Sequence, residues 1–289
     1  MTSRGGSDNA RARIASALGS EPVSLRTLSG GCVAEVYRAQ MPDGSDLVIK
    51  VDGGGDPKLD REGFMLEKLA AADAPVPSVI ACRPDLLAIE HIENDGRKSS
   101  EGEAELGGLV ADLHGHGNER YGLERDTLIG PLDQPNRWDA HWPRFYAERR
   151  LAPMADAAER GGSLPRGARD RLARICERID ALIPEPNPPA LIHGDLWAGN
   201  ALWHRGRPAA MIDPAVYYAD RAVELAFIDL MGGMGRSFWR AYEDRRPIRP
   251  GFWEGRCDLY KLYPLLVHAV LFGGGYGRSV DGIAGRLVG

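Results

Sequence analysis

Leu191-Ile192-His193-Gly194-Asp195-Leu196-Trp197-Ala198-Gly199-Asn200 is followed, thirteen residues after Asn200, by Asp213 in Ala210-Met211-Ile212-Asp213-Pro214. Phosphoryl-transfer loops of the pattern H-R-D-L-x-x-x-N use the Asp to take the proton of the attacking hydroxyl. The Asn oxygen and a later Asp, placed after a strand, hold a metal ion. The corresponding residues here are Asp195 as base, with Asn200 and Asp213 as ligands of Mg²⁺. The apolar runs Ala190 to Ile192, Ala201 to Trp203 and Ala209 to Ile212 predict three short strands that bring these oxygens to one cleft. Gly194 and Gly199 allow the tight backbone between them. Taken singly, each Asx residue before Gly or Pro is an ordinary turn former. Two oxygen ligands five residues apart plus a third on a nearby strand form a joint pattern that suits a hard cation completed by phosphate and water.

The 289 residues are 43% hydrophobic and 27% charged, enough for a buried core and two lobes. A net charge of −5 and a pI near 5.9 leave no basic footprint for nucleic acid or an anionic membrane surface. The N-terminus lacks the apolar core of a signal peptide, and Leu262 to Phe272 is too short to span a bilayer, so a cytoplasmic protein is expected. Cys32, Cys82, Cys176 and Cys257 form no C-x-x-C pair, and His114-Gly115-His116 reads as a helix end rather than a ligand pair.

Asn9 to Leu18 predicts a helix stopped by Gly19. Val23 to Leu28, Glu35 to Gln40 and Asp46 to Val51 predict consecutive antiparallel strands, with Met41-Pro42-Asp43-Gly44 as a hairpin turn. Between the first two lies Ser29-Gly30-Gly31-Cys32-Val33-Ala34, either a phosphate-covering loop or a plain hairpin turn, since G-x-G-x-x-G is incomplete. Lys50 ends Leu47-Val48-Ile49-Lys50, the position from which a strand lysine reaches nucleotide phosphates. The helix over Asp60 to Leu69 offers Glu62 or Glu67 as its partner. Ser78 to Cys82 and Leu86 to Ile89 complete five strands. In a kinase-like fold the backbone near Glu90, His91 and Ile92 would bond an adenine base, and Asn94 to Ser100 is a turn-rich hinge. Helices are expected at 101–114, 138–151, 166–183, from Asp220 and over 252–272, the last with Pro264 as its candidate kink.

The His193 to Asn200 block, Asp213-Pro214-Ala215, Tyr218-Ala219-Asp220-Arg221 and Leu259 to His268 together resemble the fructosamine/ketosamine kinase family over nearly the whole chain. Gly30-Gly31-Cys32, Lys50 and Glu62 with Leu66 and Leu69 belong to the same likeness, which favours Glu62 over Glu67. The resemblance implies an α+β, two-lobed, protein-kinase-like fold near the aminoglycoside and choline phosphotransferases. Residues 1–93 would form a small five-stranded antiparallel lobe with one helix, and residues 94–289 a larger, mainly helical lobe. It implies ATP-dependent phosphorylation of the sugar O3 of a free or protein-bound ketoamine, such as a fructose- or ribulose-lysine adduct, by a monomer or dimer. Trp197 would be either an aromatic wall for the sugar or packing beneath the loop. Cys32 would be a redox-sensitive thiol or an inert loop residue. Ala219 and Ala222 depart from a Gly-Asp-Arg-Glu string, which leaves Asp220 and Arg221 either a site role or a helix-capping one. Kinases of aminoglycosides, choline or homoserine, and a nucleotide-binding pseudokinase, are the alternatives.

Overall fold

The computed structural model describes residues 3–28 and 34–289, with residues 3–8 as backbone only, so Gly30, Gly31 and Cys32 lie outside the described residues. The first elements are α1 (Ser3–Leu18), β1 (Ser24–Leu28), β2 (Glu35–Gln40), β3 (Asp46–Val51), α2 (Leu59–Ala70), β4 (Val79–Arg83) and β5 (Leu86–Glu90). They build an antiparallel sheet of order β1-β2-β3-β5-β4. Alternation along β3 decides what each face does. Leu47, Ile49 and Val51 are buried against Ala10 and Ile14 of α1, whereas Val48 packs with Leu87 and Ile89 against Leu59 and Leu66 of α2. The resemblance implied one helix beside this sheet, whereas the residue patterns predicted two; one on each face is observed, because both faces of the central strands are apolar. The β2–β3 turn closes as the sequence predicts, with the Asp43 carboxylate accepting from the Ser45 amide (2.9 Å) and hydroxyl (2.7 Å).

The remaining chain runs α3 (Ser100–Leu113), β6 (Thr127–Ile129), β7 (Leu132–Gln134), α4 (Trp142–Tyr146), a wide π-helical turn (Ala147–Leu151), α5 (Ala152–Arg160), α6 (Ala168–Glu177) and α7 (Ile179–Leu182). It continues as β8 (Pro189–Ile192), β9 (Ala201–His204), β10 (Arg207–Met211), β11 (Tyr217–Asp220), α8 (Ala222–Met231), α9 (Arg236–Arg245), a second π-helical turn (Phe252–Arg256), α10 (Cys257–Phe272) and α11 (Tyr276–Val288). Ser99 caps α3, its hydroxyl accepting from the Gly102 amide at 3.1 Å. The three expected strands exist but fall into two ribbons, since β9 pairs with β10 while β8 pairs with β11. The helix expected over 138–151 begins at Trp142 and continues to Arg160, and the one over 166–183 breaks at Arg178. The β6–β7 hairpin, β11, α9 and α11 carry no sequence pattern strong enough to have been expected.

Pro264 sits inside α10 without breaking it. Proline supplies no N–H, so the Tyr260 carbonyl loses its helical partner. The buried Tyr146 hydroxyl replaces that partner, donating to the Leu259 and Tyr260 carbonyls at 3.2 Å each. Tyr146→Phe should therefore lower stability by about 1–2 kcal/mol, the cost of leaving a buried carbonyl unpaired. Pro264→Ala in the same chain should recover most of the loss, as read by thermal denaturation. A Tyr146→Phe variant unaffected by restoring the helical N–H would show that the hydroxyl does not act this way.

Candidate active site

The five-stranded sheet, α2, the 193–200 loop and the segment after β10 surround one cavity of about 640 Å³. Lys50, Glu62, Asp195, Trp197, Asn200 and Asp213 all line it. Lys50 reaches it because it shares the α2-facing side of β3 with Val48. Its Nζ donates to Glu62 Oε1 at 2.6 Å and to Asp213 Oδ1 at 2.5 Å. Burial alone would lower the Lys50 pKa, but the charges of Glu62 and Asp213 outweigh it and hold the ammonium protonated well above its usual range. Burial in turn pushes the Glu62 carboxyl up, against the pull of Lys50. The structure gives Lys50 no bond to Glu67, so of the two candidate partners Glu62 is the one in contact.

Asp195 faces the same cavity from the loop after β8. Its pKa is pushed up to about 8, first by burial and then by the negative charge of Asp213, with the Asn200 hydrogen bond opposing. Asn200 Nδ2 donates to the Asp195 carbonyl (2.8 Å) and carboxylate (3.2 Å), which leaves its amide oxygen to serve as a ligand. Asp213 itself is held at φ 53°, a left-handed conformation rare outside glycine, asparagine and aspartate. Gly194 is required where it stands. Its φ is +87°, and a Cβ there would lie 2.1 Å from the Ala215 carbonyl oxygen. Trp197 is half-buried, and its ring lies over Gly199, where a Cβ would come within 2.4 Å of it. It both packs on the loop and lines the cavity.

The oxygen set fits a hard divalent cation. Two carboxylates face one space and repel each other, and an amide oxygen stands beside them. Among the described residues no three His, Cys, Asp or Glu side chains form a closed metal cluster, so phosphate and water oxygens would complete such a shell. Glu90 ends β5 and His91 and Ile92 follow it, and none of the three lines the cavity. The His91 amide donates to the Asp46 carbonyl at 3.2 Å, and the Ile92 carbonyl accepts from Asn94 Nδ2 at 3.0 Å.

A buried carboxylate that the sequence did not single out holds the loop in shape. Glu224 accepts from the amides of His193 (3.2 Å) and Gly194 (2.7 Å) and meets His114 Nε2 at 2.8 Å. The other nitrogen of His114 lies 2.8 Å from the Tyr242 hydroxyl. A glutamate in the first turn of a helix is usually solvated, so only its place four residues after Asp220 could have drawn notice. Asp220 is also wholly buried, accepting from the Asn187 amide group (2.6 Å), the Tyr260 hydroxyl (2.8 Å) and the Ala222 amide (2.9 Å). These bonds make it a cap and brace for α8 rather than a cavity residue. Arg221 donates to the Pro247 carbonyl at 2.7 Å and is likewise a brace.

A lysine clamped by a helix carboxylate opposite an Asp, Asn, Asp oxygen set on loops after short strands is the arrangement of kinase-fold phosphotransferases. The likeness extends to solved structures. A ternary complex of aminoglycoside phosphotransferase APH(4)-Ia superposes with a TM-score of 0.63 over 96% of this chain and 98% of that one, at 18% identity, which supports the fold. A crystal structure from Thermobifida fusca, named as a candidate fructosamine-3-kinase, reaches a TM-score of 0.87 at 32% identity, covering 96% of this chain and 97% of that one. The family model for fructosamine kinase matches residues 8–288. Mouse ketosamine-3-kinase is 31% identical, with 86% of this chain and 90% of the mouse protein covered. A Synechocystis protein designated "Probable ketoamine kinase" is 34% identical over 267 residues, covering 89% of this chain and 87% of that one. The chain belongs to the fructosamine kinase family and is a phosphotransferase.

Glu224 also makes the loop sensitive to acid. Burial would raise its pKa, but the His114 hydrogen bond and charge and the Gly194 amide outweigh burial and hold it below the ordinary glutamate value. A depressed folded value contributes stability that is present above the unfolded pKa of roughly 4.3 and is lost as pH falls through the folded one. Glu224→Gln should cost about 2–3 kcal/mol at neutral pH and flatten the acid limb of stability against pH. Denaturant melts at several pH values check this; an unchanged acid limb would remove Glu224 from that role.

Proposed function

We propose that this chain transfers the γ-phosphoryl group of ATP to the sugar O3 of a ketosamine, a fructosamine or ribulosamine adduct. The phosphorylated adduct then decomposes and releases the amine. The single observation that carries the reading is Lys50 bonded to both Glu62 and Asp213 in the cavity that Asp195 faces. Names of relatives support the acceptor: mouse ketosamine-3-kinase, and protein-ribulosamine 3-kinases of Arabidopsis thaliana and rice.

In this reading residues 1–93 form the nucleotide-binding lobe and residues 94–289 the catalytic and acceptor-binding lobe. Lys50 holds phosphate oxygens, with Glu62 fixing its direction. Asn200 and Asp213 hold Mg²⁺. The adenine is assigned to backbone groups near Glu90, His91 and Ile92 other than the His91 amide and the Ile92 carbonyl, which are already paired, and the Gly30-Gly31-Cys32 loop is assigned to the phosphates. Trp197 walls the sugar. Asp195 accepts the proton of the attacking hydroxyl, which requires its ionised form. A Mg²⁺ ion held by Asn200 and Asp213 would supply positive charge in the cavity and so favour the ionised form of Asp195. The protein's own work is positioning and electrostatic stabilisation, with little covalent chemistry.

ATP consumption with Mg²⁺ should rise with ribuloselysine or fructoselysine and not with choline or kanamycin. Stimulation only by a non-ketoamine acceptor would overturn the substrate class. Asp195→Asn should lower kcat by about 10²–10⁴, the usual contribution of a positioned base. Unaltered turnover in that variant would exclude Asp195 as the base.

A further inference from the structure

The helix that carries Glu62 is tied to the catalytic half of the chain by ion pairs along one side. Asp133 on β7 accepts from Lys58 Nζ at 3.0 and 3.2 Å and from Arg61 Nη1 at 2.7 Å. Two further pairs run alongside: Asp60 with Arg125 at 2.9 Å and Lys68 with Glu124 at 2.8 Å. The Arg125 guanidinium also lies 4.8 Å from the centre of the Phe64 ring. The hairpin bearing Asp133 is itself fixed to the segment after Asp213. Gln134 Nε2 donates to the Ala215 carbonyl at 3.0 Å, and Thr127 Oγ1 donates to the Val216 carbonyl at 3.3 Å. The cavity wall includes both sides of this junction, Lys58 and Leu59 from one and Ile129, Gly130 and Pro131 from the other.

A closed ring results. It runs from Asp213 through Ala215, Gln134 and Asp133 to Lys58 and Arg61, then through Glu62 and Lys50 back to Asp213. Arg61 is the residue immediately before Glu62, so the Asp133 carboxylate grips α2 at the turn that aims the Lys50 partner. Asp133 is 58% exposed, and solvent-exposed ion pairs contribute little to stability. Their effect on geometry is a separate matter, because a displacement of about 1 Å in a positioning element can cost on the order of a hundredfold in rate.

We propose that Asp133 is a positioning residue for phosphoryl transfer: by holding Lys58 and Arg61 it keeps α2 docked so that Glu62 directs Lys50 toward the phosphates. This rests on the reading of Lys50 and Glu62 given above. Removing the Asp133 charge lets the first turn of α2 move away from the hairpin, which misdirects Lys50 while leaving the apolar contacts of the fold intact.

Two measurements on the full chain test this. In the first, Asp133→Asn should lower ketoamine-dependent kcat about tenfold with little change in thermal midpoint, and Asp133→Glu should retain most of the turnover. In a Glu62→Gln background the same Asp133→Asn change should have no further effect, since the element it positions has already lost its function. Equal falls in both backgrounds, or no fall in either, would overturn the proposal. The second measurement is hydrogen exchange without substrate. Amides of residues 59–70 should exchange faster in Asp133→Asn than in the parent protein, with residues 100–113 unchanged. Unaltered exchange over 59–70 would overturn the proposal by itself. A parent protein that turns over no ketoamine would count against the substrate reading, while the exchange experiment would still decide the role of Asp133.

Discussion

Lys50 is a cation held between two carboxylates from different parts of the chain, Glu62 on α2 and Asp213 after β10. Its side chain is only 15% exposed, so leaving it there without partners would cost several kcal/mol. The contact therefore constrains three elements together. The sheet must present Lys50 toward α2, α2 must present Glu62 toward the sheet, and the segment after β10 must approach both. The same demand explains why α2 packs in two directions. Leu59 and Leu66 face the sheet, while Met65 and Leu69 cluster with Leu113, Leu191 and Val216. Leu191 lies on β8, the strand that leads into the 193–200 loop.

A second constraint acts beneath the loop. Glu224 gathers two loop amides and His114, and Asp220 gathers Asn187, Tyr260 and the start of α8. Both carboxylates are almost wholly buried and fully engaged, which is the condition under which a buried charge is tolerable. The two networks share α8 and fix β8 and β11 against it. Asp195 can thus sit in a strained electrostatic setting, beside Asp213, because the loop that carries it is anchored by groups outside the cavity. Rigid support behind a costly site is the general requirement for preorganised catalysis.

The division between what was legible and what was not follows the range of the forces involved. Lys50, Glu62, Asp195, Asn200 and Asp213 could be read because their spacing is set by local geometry: a strand end, one helical turn, a tight loop, a strand end again. The five strands of the sheet were legible through period-two alternation and the Asp43-Gly44 turn. Glu224 and His114 were not, because a charged residue on a helix carries no sign of its burial. The Asp133 ion pairs were also hidden. Asp133 belongs to a short hairpin, residues 127–134, without a strong pattern, and its partners lie more than seventy positions away.

The sequence by itself determined the chemical inventory and its order: a strand lysine, a helix glutamate, an Asp and Asn on one loop, an Asp after the next ribbon. Local sterics and periodicity are enough for that, since each is decided within a few residues. The tertiary structure alone decided that Glu224 gathers the loop amides, that Asp220 braces α8 instead of entering the cavity, and that Tyr146 supplies the hydrogen bond Pro264 withdraws from α10. Each of those outcomes depends on burial and on partners distant in the chain. Burial is a property of packing, and packing is settled only when all the elements are in place.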